Sequence, residues 1–193
     1  MKLWLLLLLI VACCFLAGCP SYSLYPLYTG QDAVFVPALE GTWIDPGSDA
    51  KEGFSFQKSG DHGYTMTIDD PSTKLRQTYD AHLVRLGDQL FMDIAWSDQT
   101  LNGVKLDPPI GAVATHVIWK VEISEDDLAY AMLDDEAIKQ QGGLPGANSL
   151  YRSEDRLLIA ACTDDLRRYV AAHAKDAFSG YQHFKKKRAQ SSN

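Results

Sequence analysis

Between residues 41 and 133 apolar and polar residues alternate in short runs, and each run stops at turn residues. Phe54 and Phe56 alternate with Ser55 and Gln57, and Tyr64, Met66 and Ile68 alternate with threonines. The segment Ser59-Gly60-Asp61-His62-Gly63 joins those two runs. A period of two sends successive side chains to opposite faces, so each run reads as a half-buried strand. Gln77–Leu86 and Gln89–Trp96 flank Gly87-Asp88, and a glycine in first place suits a two-residue type II′ hairpin. Gly41-Thr42-Trp43-Ile44, His116–Ile123 around Trp119, Leu128–Leu133 and the nearly continuous apolar run Arg156–Cys162 complete eight strand candidates. So many short strands with so little helix between them predict a barrel or a sandwich.

Two helices are expected beside the strands. Asp134-Asp135-Glu136 places acids in a first turn and Gly142-Gly143 stops the short helix Glu136–Gln141. Thr163 is a good N-cap followed by two acids. Leu166, Tyr169, Val170, His173 and Ala177 then share one face of a helix ending near Gly180. The longer connections Ser97–Ala114 and Gly142–Ser153 read as surface excursions in preference to lids.

Ahead of this body stands a different kind of sequence. Lys2 is followed by an apolar segment through Phe15 and then by Leu16-Ala17-Gly18-Cys19. A positive start, an apolar middle and small residues before a cut define an export signal. The cysteine after Leu-Ala-Gly resembles the lipobox of bacterial lipoproteins. The resemblance implies removal of residues 1–18, lipid on Cys19 and attachment to the cell envelope. With Pro20 after the cysteine, a Gram-negative source implies the outer membrane. Each buried methylene contributes about 0.8 kcal/mol, so two or three acyl chains hold a protein on a membrane almost permanently. The run is too short for a spanning helix, which needs about 20 apolar residues. The expected organisation is therefore a signal peptide at 1–18, a lipidated tether at 19–38, a barrel domain at 39–179 and a basic polar tail at 180–193.

Charge and cysteine usage narrow the functions open to the body. Of 18 basic residues five lie at Lys2, Lys185, Lys186, Lys187 and Arg188, which leaves 13 against 25 acids, a net −12. Such a surface repels nucleic acid, so a nucleic-acid partner is not expected. With Cys13 and Cys14 in the signal and Cys19 blocked by lipid, Cys162 is the one remaining thiol and no internal disulfide can form. Cys162 ends an apolar run and is expected to fill space as a small hydrophobe. Its acidic neighbours Asp164 and Asp165 offer no cation to activate a thiolate.

Gly41-Thr42-Trp43 on a first strand, with seven more strands and a C-terminal helix behind it, resembles the lipocalin and calycin group. The resemblance implies an up-and-down barrel with Trp43 plugging one end and a basic residue near the last strand, Arg156 or Arg152, stacked on it. The combination of a lipobox, Tyr-Pro-Leu-Tyr and Leu-Glu-Gly-Thr-Trp also resembles bacterial lipoproteins without an assigned activity. The reading adopted is a mainly β, lipocalin-like barrel of about eight strands, with the C-terminal helix packed on it and a short helix in the last long connection.

Catalytic motifs are missing: the chain has no phosphate loop, Cys-X-X-Cys pair, His-Glu-X-X-His helix or nucleophile elbow. No catalytic residue, metal site or cofactor is therefore assigned. His82, His116 and Asp93 draw attention as polar residues among apolar strand neighbours. Across the Gly87-Asp88 turn, counting places His82 opposite Asp93 on one face, where a buried hydrogen-bonded pair is expected, the carboxylate favouring the protonated ring. The function expected is an envelope lipoprotein whose barrel binds an apolar or amphipathic small ligand, with Phe54, Phe56, Met66, Met92 and Trp119 as its lining. The alternative is an interaction or structural lipoprotein, its barrel filled by side chains and its loops meeting an envelope protein partner. An enzyme, the less favoured reading, would need a cleft joining His82, Asp93 and His116 or exposing Cys162.

Overall fold

A computed structural model describes residues 21–47, 53–108, 112–141, 144, 152–153 and 156–188. The export signal, Cys19 and most of the Gly142–Ser153 connection lie outside the described residues. Short strands β1 (Tyr22–Ser23) and β2 (Ala33–Val34) occupy the lead-in. Then come β3 (Gly41–Ile44), β4 (Gly53–Ser59), β5 (Gly63–Asp70), β6 (Leu75–Leu86), β7 (Gln89–Leu101) and the short β8 (Val104–Lys105). They are followed by β9 (His116–Ile123), β10 (Asp127–Met132), helix α1 (Asp135–Gln140), β11 (Arg152–Ser153), β12 (Arg156–Ile159), helix α2 (Thr163–Ala172) and β13 (Gln182–Lys186).

Strands β3, β4, β5, β6, β7, β9, β10 and β13 each pair antiparallel with the next, and β13 pairs back onto β3. The ring is a closed eight-stranded up-and-down barrel, and closure leaves its wall without an edge. Gly87 takes the left-handed φ of +63° that a two-residue hairpin demands, and the register pairs His82 with Asp93 across it. The bulge in that hairpin falls farther on, between Thr78 and Tyr79.

Three features differ from the sequence expectation. Residues 182–186, expected in a polar tail, form the eighth wall strand. One inward side chain, Phe184, gives the strand its buried face, while the rest of it meets solvent. Arg156–Ile159, expected as the last barrel strand, lies outside the ring and pairs parallel with β1. The reason is local: β10 ends against Trp119, and β1 takes its place beside Val117 and His116, presenting its other edge to β12. Thirdly, the lead-in is no loose tether from Ser21 onward. Leu24 N–H donates to Ile159 O at 2.9 Å, Leu27 is fully buried, and Ala33–Val34 pair with Val84 and Leu83. The segment runs as a strap over the outside of β9, β7 and β6.

The apolar residues sort into two cores on opposite sides of the wall. Inside the barrel lie Leu39, Trp43, Phe56, Leu83, Met92 and their neighbours. Outside, Phe91, Ile118 and Leu133 pack under Leu27 of the strap and under Leu166, Tyr169 and Val170 of α2. Asp134 caps α1 by accepting from Glu136 N–H at 2.8 Å. The N-cap of α2 is Cys162, one residue before the expected Thr163, whose hydroxyl instead donates to Pro26 O at 2.8 Å and ties the helix to the strap.

Candidate functional site

The two ends of the barrel are unlike. The end bearing the β4–β5, β6–β7 and β9–β10 turns is closed by the strap and the turn Pro37–Leu39. Phe35 stacks on Tyr64 at 5.2 Å, and the Tyr64 hydroxyl accepts from Val36 N–H at 2.6 Å. Trp43 is fully buried there, and its indole N–H donates to Leu39 O at 2.8 Å. The cation over its ring is Lys186, 5.2 Å from the centroid, from the last barrel strand. The role expected of Arg156 or Arg152 thus falls to Lys186, because β12 is not part of the ring. Gly41 makes room for it: φ is +122°, and a Cβ there would come within 2.9 Å of the Lys186 side chain.

Toward the opposite end the interior changes from fully buried to half-exposed. Phe56, Met66 and Met92 are at most 2% exposed. Above them Trp119 stacks on Tyr130 at 3.9 Å and 8°, with Phe54 tilted against both and against Phe184. Burial pushes the Tyr130 hydroxyl up to about 12, and that hydroxyl donates to Gln182 at 2.8 Å. Beyond this layer Ile68, Tyr79, Val117 and Met132 still pack on the inner cluster yet are only half-buried. All five residues proposed as lining, Phe54, Phe56, Met66, Met92 and Trp119, therefore lie inside the barrel. Trp119 and Phe54 are the least covered of the five, 8% and 7% exposed. Trp119 adds a feature that no sequence pattern signals: its indole N–H is buried and has no hydrogen-bond partner among the described residues. An unmade bond of this kind costs on the order of 1–3 kcal/mol unless an acceptor arrives.

A second polar centre lies on the outer face of the wall, beneath the strap. Asp93 is 1% exposed and uses both oxygens: Oδ2 accepts from Leu27 N–H at 2.5 Å, and Oδ1 bonds His116 Nδ1 at 2.6 Å. His82 faces Asp93 in the register but spends its ring on Tyr28, stacked at 3.9 Å and 13°. Burial lowers the His82 pKa, and the opposing pull of Asp93 is the smaller effect, the reverse of the sequence expectation. The pair made by Asp93 is with His116. The three residues do meet on one face, but as a strut under the strap. Ser23 lies opposite His116 and would complete a nucleophilic triad by residue type, yet its hydroxyl is buried and donates to Tyr25 O at 2.7 Å. Cys162 is exposed, contrary to expectation, because the chain leaves the sheet at Ile159. Its thiol faces Asp165 Oδ2 at 3.4 Å, with no cation beside it in that contact.

Two surface concavities flank the barrel. One of about 600 Å³ sits at the tip of β5–β7, between Asp69, Lys74, Arg76 and Asn102. The other, about 430 Å³, lies near the closed end between Arg85, Gln89, Lys120 and Glu122. Both mix charges of either sign, so neither matches the apolar ligand expected from the sequence. In comparisons with known proteins no family model, no curated protein and no solved structure matches the chain.

Proposed function

We propose that the chain is an exported, lipid-anchored protein whose barrel takes up an apolar or amphipathic small molecule through its open end. The observation that carries this reading is the buried, unpartnered N–H of Trp119 beneath a half-buried apolar rim. A ligand chain laid against Ile68, Tyr79, Val117 and Met132 gains about 25 cal/mol per Å² of apolar surface removed from water. A carbonyl or hydroxyl oxygen on the ligand gives Trp119 the acceptor it lacks. Lipid attachment through Cys19 follows from the lipobox alone. The alternative of a scaffold without ligand draws on the floor of the barrel, which Trp43, Tyr64, Phe56 and Met66 fill.

Titration of the mature domain with a single-chain amphiphile such as lysophosphatidylcholine, read by tryptophan fluorescence, tests the proposal. Saturable binding that weakens about tenfold in Trp119→Phe fits one hydrogen bond of roughly 1.4 kcal/mol. Absence of binding by fluorescence, together with no small molecule retained on the host-expressed domain in native mass spectrometry, leaves the scaffold reading standing.

A further inference from the structure

We infer that the ligand is an uncharged lipid ester of the monoacylglycerol kind, taken in preference to a fatty anion or a fatty cation. The inference rests on the ligand-binding reading proposed above and adds the chemistry of the head group to it.

The first observation is what the aromatic layer leaves unused. Trp119 and Phe184 both stack on Tyr130, with centroids 3.9 and 5.6 Å away, and Phe54 tilts against all three. Ring faces carry the negative side of an aromatic quadrupole and ring edges the positive side. Faces laid on one another are not open to a cation, which argues against a choline-like head group. The Tyr130 hydroxyl is already engaged as a donor to Gln182 Oε1. What the layer still offers is the indole N–H of Trp119, buried and without a partner among the described residues. A donor calls for an oxygen acceptor, which an ammonium group cannot supply.

The second observation is a carboxylate beside the same layer. In the β3–β13 register Trp43 pairs with Lys186 and Ile44 with Lys185. One step further the register sets Asp45 opposite Phe184, and alternation gives it the inward direction of Trp43. Asp45 is half-buried, and its Oδ1 accepts from Gly47 N–H at 2.7 Å. Its charge reaches the aromatic layer: after burial, it is what raises the Tyr130 hydroxyl. A sulfate or carboxylate head bonded to Trp119 would lie in that same field and would exchange its water for one neutral donor. Lys186, inward from β13, is turned to the floor, where its ammonium donates to Ala38 O at 2.8 Å. An ester oxygen meets the Trp119 donor without bringing a charge.

The test holds the hydrocarbon chain constant and changes the head. The full lipidated chain in dodecyl maltoside micelles receives monooleoylglycerol, oleyl sulfate or oleyltrimethylammonium at equal mole fraction, and native mass spectrometry measures the bound probe. The expected result is retention of monooleoylglycerol about tenfold above either charged probe. Asp45→Asn keeps an oxygen for the Gly47 N–H and should narrow the gap to oleyl sulfate severalfold. Equal retention of the three probes, or preference for a charged one, overturns the inference and leaves ligand binding in place. A gap to oleyl sulfate that Asp45→Asn leaves unchanged also overturns it. Retention of none of the three overturns the ligand-binding reading as well.

Discussion

Lys186 carries its ammonium 5.2 Å above the Trp43 ring while the same nitrogen donates to Ala38 O at 2.8 Å. One side chain thus binds the last barrel strand, the first barrel strand and the turn that closes the floor. A cation over an indole contributes roughly 0.5–1 kcal/mol at a partly exposed site, and the hydrogen bond about 1 kcal/mol more. Lys186→Met, which keeps most of the stem, should lower stability by about 1–2 kcal/mol in urea titration. Trp43→Ala empties the floor and should cost about 3–5 kcal/mol. A Trp43→Ala protein as stable as the parent would mean that the floor does not support the barrel.

The place of β13 in the ring gives a sharper contrast. Removing residues 189–193 should leave the circular dichroism spectrum and protease resistance unchanged. Ending the chain at Tyr181 strips the partner from both β3 and β10, opens the ring and uncovers Phe54 and Tyr130. That shortened chain should be aggregated or protease-sensitive.

Asp93 joins strap and wall, and its removal should be felt in both. Asp93→Ala leaves the Leu27 N–H buried without an acceptor and frees His116, at a cost of about 3 kcal/mol. Asp93→Asn keeps one carbonyl oxygen and should lose less. Amide exchange locates the effect: Leu27 N–H should lose protection in Asp93→Ala well before amides of β4 and β5 do.

His82 makes the strap sensitive to acid. Burial lowers its pKa below the ordinary 6.5, so the unfolded chain binds a proton first as pH falls. Stability therefore declines as pH drops from about 6.5 toward the lower folded value, and above 6.5 this penalty is absent. The expected observation is faster amide exchange around Tyr28 below pH 6.5, beyond the intrinsic pH trend. His82→Phe retains a ring against Tyr28 and should abolish the excess. An unchanged acid response in His82→Phe would assign it to another group.

Much of the wall was legible because tight turns count residues. Gly87-Asp88 puts His82 opposite Asp93 by arithmetic alone, and the Gly60 turn does the same for β4 and β5. Partners across longer connections were not legible. β7 and β9 are separated by Asn102–Thr115, so nothing in the sequence set Asp93 beside Ile118 and close to His116. β13 was hidden because Gln182-His-Phe-Lys-Lys carries a single inward apolar residue and otherwise has the composition of a solvated tail. The strap was hidden for the opposite reason. Its wall-facing residues, the buried Leu27 and the half-buried Tyr28, follow no period, since an irregular segment crossing strands meets the wall at irregular intervals. The open end was legible only as a set of aromatic candidates. That the buried indole N–H of Trp119 has no partner among the described residues depends on which rings stack, and stacking is decided in three dimensions.

Ring closure between β3 and β13 also sets a clock. Trp43 pairs with Lys186, so the barrel cannot be completed until nearly the whole chain is available. Pairings this distant in sequence carry a large loop-closure entropy before any contact rewards it, and β-barrels of such topology fold in roughly milliseconds to seconds. Until β13 arrives, the edges of β3 and β10 that it joins have no partner in the ring. The arrival of Phe184 and Lys186 converts that open sheet into a ring, with an aromatic against Phe54 and Tyr130 and a cation over Trp43.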